Sequence, residues 1–245
     1  MRLAVVSDIH GNLPALEAVL EDIAASGVDM TVNLGDILSG PLWVAETAER
    51  LMALELPTIR GNHERQLLTL APARMGASDA FAAQRLIPAQ RAWLEALPLT
   101  RTLGDAVFCC HGTPDSDLHY FLETVTGGEA GSAAPGVRAA TPDEAAERAG
   151  AVAHTLILCG HTHMPRALQL NDGRLIVNPG SVGMPMALGS TDARYAVLEK
   201  LRSGWTVGLR AIPYDHPAAA RQALEQGFPN WADAVSTGWP LPRGY

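Results

Sequence analysis

Five short segments of the chain each place polar side chains directly after an apolar run: VVSDIHG, VNLGDI, TIRGNHE, FCCHG and LILCGHTH. Together they supply Asp8, His10, Asp36, Asn62, His63, His111, His161 and His163, which include five of the eight histidines in the sequence. A residue just beyond the carboxyl end of a strand projects into the crevice where open α/β sheets bind ligands, so five strand ends can aim at one spot. Oxygen and nitrogen donors without a thiolate suit borderline or harder divalent ions such as Mn²⁺, Fe²⁺, Ni²⁺ or Zn²⁺. The donor set is too large for one ion. With one carboxylate bridging, seven ligands match two metals completed by water.

Singly, the segments are weak. Asp8 with His10 also describes a polar turn between strand and helix, and Gly35-Asp36 is a common turn after a strand. Gly61-Asn62-His63-Glu64 and His161-Thr162-His163 are much harder to obtain as solvated loops, and alternation along an extended segment puts both imidazoles of the latter on one side.

Holding such residues together requires strands that end where each segment begins. Residues 2–6 are apolar and β-branched, and Asn12 caps a helix over 13–25 with Leu13, Leu16, Val19, Leu20 and Ile23 at helical spacing. A strand over 30–34, a helix over 42–54 and a short strand over 57–60 follow, then helices over 64–70 and 88–96. This alternation reads as β-α-β units with a largely parallel sheet. Strands over 106–110, 155–159, 167–170 and 174–177 give the second half a more antiparallel character, with Asn171-Asp172-Gly173 as a hairpin turn. Strands over 194–199 and 205–212 precede a helix over 217–226, and residues 126–141, rich in Gly, Ala, Ser and Pro, suit a surface loop or lid.

The 245 residues are 47% hydrophobic and 18% charged, a globular balance for which one domain spanning 1–245 is the expectation. A formal charge of -8 supplies no broad basic surface for a nucleic-acid backbone, which disfavours a long polynucleotide as partner. Cys109, Cys110 and Cys159 lie in apolar runs and read as reduced core residues. The N-terminal stretch reaches an aspartate within ten positions, too soon for a signal peptide or spanning helix, so a cytoplasmic protein without a membrane partner is expected. Self-association into a homo-oligomer stays open.

The ordered set D-x-H, G-D, G-N-H-E, H-G and G-H-T-H, spanning residues 8 to 163, resembles the signature of the calcineurin-like metallophosphoesterases. The run NPGSVG at 178–183 further resembles small bacterial, phosphodiesterase-type members. The resemblance implies a four-layer αββα sandwich of two mixed sheets with metals at the sheet edge. It implies that Asp8, His10 and His163 bind one metal and Asn62, His111 and His161 the other, with Asp36 bridging. Mn²⁺ is the leading candidate. His63 would be the non-ligating catalytic histidine beside the phosphate and the leaving oxygen, and the reaction would be attack of a metal-bridging hydroxide on a small phosphate ester. The superfamily also includes protein and nucleotide phosphatases, and retromer's scaffold subunit, which binds partners without catalysis; the presence of His63 and all seven ligand positions favours an enzyme.

Phosphatase members of the resembling group carry an arginine shortly after Gly-Asp that grips phosphate. Here the segment is GDILSGP, with Ser39 in that place, which favours a phosphodiester over a phosphomonoester. Arg60, His119, Asn178 and Ser181 are further candidates near the substrate, whereas His154 and His216 read as ordinary surface or satisfied histidines. Arg65 is as well explained by a solvent-facing ion pair. Glu64 is expected to favour a helix start through its charge, and Trp205, Trp231 and Trp239 to serve as packing anchors.

Overall fold

The computed structural model describes residues 1–127, 136–186 and 189–239. The chain opens with β1 (Arg2–Val6), whose last four residues are buried, and α1 (Leu13–Ala25), capped by the Asn12 side chain accepting from Ala15 N. β2 (Met30–Asn33) returns parallel to β1, pairing Val5 with Val32. α2 (Val44–Leu54) starts two residues later than its apolar pattern suggests, because Trp43 N donates to Gly11 O and holds that residue in a loop. No strand forms over 57–60. Thr58 makes one parallel bridge to Asn33, and beyond it Arg60 N turns away to Pro98 O, while Pro57 has no N–H to give a ladder.

Three helices and two strands of the middle region follow as α3 (Asn62–Thr69), α4 (Ala77–Ala83), α5 (Pro88–Ala96), β3 (Arg101–Leu103) and β4 (Val107–Cys109). Next come β5 (Glu123–Thr126), β6 (Gly136–Ala139) and α6 (Pro142–Ala149), then β7 (Leu156–Leu158), β8 (Arg166–Gln169) and β9 (Leu175–Asn178). β10 (Ala193–Leu201), β11 (Gly204–Ile212), α7 (His216–Glu225) and α8 (Pro229–Thr237) complete the described elements. Of the loop expected over 126–141, residues 128–135 lie outside the described residues; Gly136–Ala139 pairs with β5 as a hairpin instead of looping freely.

One sheet has the order β11-β10-β1-β2 and the other β3-β4-β7-β9-β8. Both are mixed. The second half is less antiparallel than its sequence suggests, since β4, β7 and β9 run parallel while β3 and β8 close the two edges antiparallel.

Alternation along the strands builds the layers, because successive side chains leave opposite faces. Leu3 and Val5 meet Leu156, Leu158, Val177 and Leu198 between the sheets, whereas Ala4 and Val6 face Leu16, Val19 and Leu51 of α1 and α2. On the far side Ile157 and Ile176 pack under Ala145 and Ala149 of α6. The result is helix, sheet, sheet, helix, with the three cysteines free and buried within it. Among the described residues no helix is long and apolar enough to cross a membrane.

The loops at the carboxyl end of this sandwich approach one another at backbone distance. A Cβ at Gly183 would collide with Ile9 O, which binds the 181–183 loop tightly against the end of β1. Gly183→Ala is therefore expected to cost about 1–3 kcal/mol and lower the melting temperature by roughly 2–12 °C. Gly208→Ala on β11, where the nearest atom would be Val197 O at 3.7 Å, should not lower it. Equal melting of the two variants would contradict this packing.

Candidate metal centre

The loops that follow β1, β2, β4 and β7 converge through hydrogen bonds between their backbones. Asp8 N donates to Gly35 O at 2.9 Å, His10 N to Asp36 O at 3.1 Å and Gly11 N to Ile37 O at 2.8 Å, extending the β1–β2 pairing past the strand ends. Gly160 N donates to His111 O at 2.7 Å, joining the second pair of loops. Turning so many side chains inward strains the chain: six non-glycine residues among those described have positive φ, and five are Asp8, His10, Asp36, His161 and His163. Each such residue costs on the order of 1–3 kcal/mol, and aspartate and histidine tolerate the left-handed region better than most.

Glu64 holds two of these loops together. Its buried carboxylate accepts from Asp36 N at 2.8 Å, Ile37 N at 2.7 Å and Gly61 N at 2.9 Å. It does stand in the first turn of α3, but three charge-assisted hydrogen bonds outweigh the dipole effect expected from its position. Burial and the neighbouring Asp36 carboxylate push its pKa up. Gly61 is needed for this fit, because a Cβ there would run into Asp36 Oδ1.

All eight residues of the five motif segments meet here. Candidate ligand atoms of Asp8, His10, Asp36 and His163 lie within 4.8 Å of one another, as do those of Asp36, His111 and His161, and Asp36 belongs to both groups. His10 Nδ1 donates to Ser39 O at 2.6 Å, His111 Nδ1 to Leu34 O at 2.8 Å and His163 Nδ1 to Met184 O at 2.7 Å. Each of these imidazoles thus turns Nε2 into the cluster, the arrangement that orients histidine toward a metal. His161 is reversed: Nε2 donates to Leu118 O at 3.0 Å, so Nδ1 faces inward.

The interior is crowded with lone pairs. His10 Nε2 and His163 Nε2 stand 3.1 Å apart, and Asp8 Oδ1, 3.3 Å from His163 Nε2, is buried without a hydrogen-bond donor. The amide head of Asn62 is 2.9 Å from His161 Nδ1 and 3.2 Å from both His111 Nε2 and Asp36 Oδ2. Facing acceptors in a buried space need positive charge between them. Burial, His163 and His63 bring His10 down to about 4, and burial and His111 bring His161 down to about 4, leaving both neutral with free lone pairs at neutral pH. Burial disfavours charge on His111 too, but Asp36 and Asp8 outweigh it and hold that imidazole up at about 10. A proton there and a divalent cation would meet the same demand, and the oxygen and nitrogen donor set fits the cation.

His63 stands at the rim. Its Nε2 is 3.9 Å from Asp36 Oδ2 and its Nδ1 is 2.7 Å from Asp79 Oδ1 on α4. Burial opposes its charge, but Asp36 and Asp79 raise it to about 9, so it carries a proton at neutral pH. Asp79 is buried at 2% exposure and went unnoticed in the sequence, where it lies in no motif.

The remaining candidates do not face the cluster. Asn178 gives its amide to Gly160 O and Thr162 Oγ1 and accepts from Gly180 N. Ser181 donates to Asp8 O and accepts from Met184 N. Both are buried and brace the loops, with no polar atom turned to a substrate. His119 lines a separate hollow of about 940 Å³, and Arg60 lines neither that hollow nor the cleft over the histidines. Asp115, Glu123, Glu144 and Glu147 also line the hollow, with Arg148 among them, so that carboxylates outnumber cations in its wall. Arg65 is spent on Asp117, with bonds of 2.6 and 3.0 Å.

Residues 1–201 match the calcineurin-like phosphoesterase superfamily domain. The chain belongs to that superfamily. It is 30% identical over 212 residues to the phosphodiesterase YfcE of Escherichia coli, covering 81% of this chain and 88% of the relative. It is 26% identical over 252 residues to an uncharacterized protein of Methanocaldococcus jannaschii, covering 94% of each. The crystal structure of a metallophosphoesterase from Sphaerobacter thermophilus superposes with a TM-score of 0.77 at 27% identity, over 98% of this chain and 100% of that one. The superfamily is one of metal-dependent phosphoesterases, and this member has Asp/His clusters that could hold metal.

Because Asp36 belongs to both clusters, Asp36→Ala is expected to lower metal content, measured after chelation and reloading with Mn²⁺, more than Asp8→Ala or His161→Ala does. Equal losses in the three variants would count against sharing.

Proposed function

We propose that this chain hydrolyses a phosphodiester with the help of two divalent cations. The observation that carries the reading is the pair of donor clusters sharing Asp36, with the proton-bearing His63 beside them. Asp8, His10 and His163 would hold one ion, Asn62, His111 and His161 the other, and Asp36 both. When bound, such a pair lowers the pKa of water between the ions and offsets charge on the phosphoryl oxygens. Mn²⁺ is the proposed ion, with Fe, Ni and Zn as alternatives that the same donors accept.

The chain's own residues supply the remainder. His63 presents Nε2–H at the rim, where it can hand a proton to the departing alkoxide, while Asp79 fixes the ring through Nδ1 and favours its protonated form. Preference for a diester rests on what surrounds the cluster. At the place where an arginine would grip a phosphomonoester dianion stands Ser39, buried, with its carbonyl accepting from His10 and its hydroxyl donating to Ser78. The acidic net charge continues to disfavour long nucleic acids.

With Mn²⁺ in excess, bis(p-nitrophenyl) phosphate is expected to turn over faster than p-nitrophenyl phosphate; the reverse order would overturn the diester preference. His63→Ala should keep its metals and lose about 10²–10⁴-fold in kcat, and stoichiometric loss of metal would reassign His63 as a ligand. Asp79→Asn should also keep its metals. A proton donor acts below its pKa, and removing the Asp79 charge lowers that of His63, so the alkaline limb of the rate profile should move to lower pH. An unmoved limb would disconnect Asp79 from the proton transfer.

A further inference from the structure

Above the candidate metal centre lies a cleft of about 280 Å³ whose floor is formed by His10, His63, His161 and His163. Its walls are of another character: Tyr120, Val137, Met164, Met184, Met186 and Trp231. These walls are continuous with the floor. Tyr120 meets the His161 ring edge-on at 5.2 Å between centroids, and Trp231 meets His10 at 5.9 Å. Among the described residues no lysine or arginine lines the cleft, and Ser78 and Thr162 are its other polar side chains.

A phosphoryl group resting on the histidine floor has these walls beside it to receive its organic substituent. A second phosphate, a sugar acid or an ammonium group would find no counter-charge there, and burying one unpaired costs several kcal/mol. Three methionines offer an adaptable, polarizable surface, and two aromatic rings add rigid area.

We infer that the substrate is a phosphate ester bearing an uncharged apolar arm, aromatic or alkyl, which seats against Met164, Met184, Met186 and Tyr120. The inference builds on the phosphodiesterase reading and adds the chemical class of the alcohol that the ester contains. Affinity for the substrate then comes in large part from the arm, with the phosphoryl group positioned by the floor.

The test uses two dialkyl phosphates of equal charge, dimethyl phosphate and benzyl methyl phosphate, as competitors of bis(p-nitrophenyl) phosphate turnover by the Mn²⁺-loaded protein. The benzyl ester is expected to inhibit about tenfold or more tightly, the scale on which an apolar pocket discriminates by size. Met186→Gln and Met164→Gln, which keep side-chain length but add an amide, should each reduce that ratio severalfold. Equal inhibition constants in the unmodified protein overturn the inference, as does a ratio unchanged in both variants, and either result leaves the diesterase reading intact. Should the loaded protein turn over no diester, that reading fails, and calorimetric titration with the same two phosphates still decides whether the cleft selects an apolar arm.

Discussion

Two carboxylates, Asp8 and Asp36, lie at 0% and 1% exposure within one small volume, and everything around them serves to make that tolerable. Burial alone raises the pKa of each carboxyl, yet neighbouring imidazoles outweigh it and keep both ionised, Asp36 well below the usual range. Fixed negative charge in a water-poor pocket costs far more than a surface charge unless positive charge is supplied close by. That demand explains why loops from both sheets are pinned to one another through backbone hydrogen bonds and contacts that only glycine permits. It also explains why five of the six positive φ values at described non-glycine residues fall here, Glu55 at the end of α2 being the sixth.

The histidines divide the labour by environment. His10 is stripped of charge by burial and the nearby His163 and His63 rings, and His161 by burial and His111, which suits a ligand that must offer a lone pair. His63, a few ångströms away and paired with Asp79, is held in the opposite state, which suits a proton donor. The same side chain performs two tasks because α4 supplies a carboxylate to one ring while backbone carbonyls occupy the Nδ1 atoms of His10, His111 and His163.

Much of this was legible in the sequence because strand ends, turns and metal donors coincide in short segments. β1, α1 and α5 follow directly from apolar spacing, capping and a proline start. What escaped notice depends on tertiary contact. α4 has seven residues and no side-chain cap, too short to stand on its own propensity, so Asp79 carried no local signal. α6 did announce itself through the Thr141-Pro142-Asp143-Glu144 capping box, but it adjoins the Gly/Ala-rich run that masked it. The parallel neighbours β4, β7 and β9 are three to four residues each, and their order is set by packing against the first sheet and not by any periodicity. Asn178 and Ser181 were visible as motif residues, whereas their role as braces emerges only from their bonds to Gly160 and Asp8.

The partner of His63 resides on a helix that contributes nothing to the two donor clusters. Part of the acid strength is consequently encoded apart from ion capture, although Asp36 contributes to both. Replacing the region around α4 would retune reactivity while the cage stayed as it was, so descendants of one ancestral scaffold can diverge in working pH without rebuilding their inorganic heart.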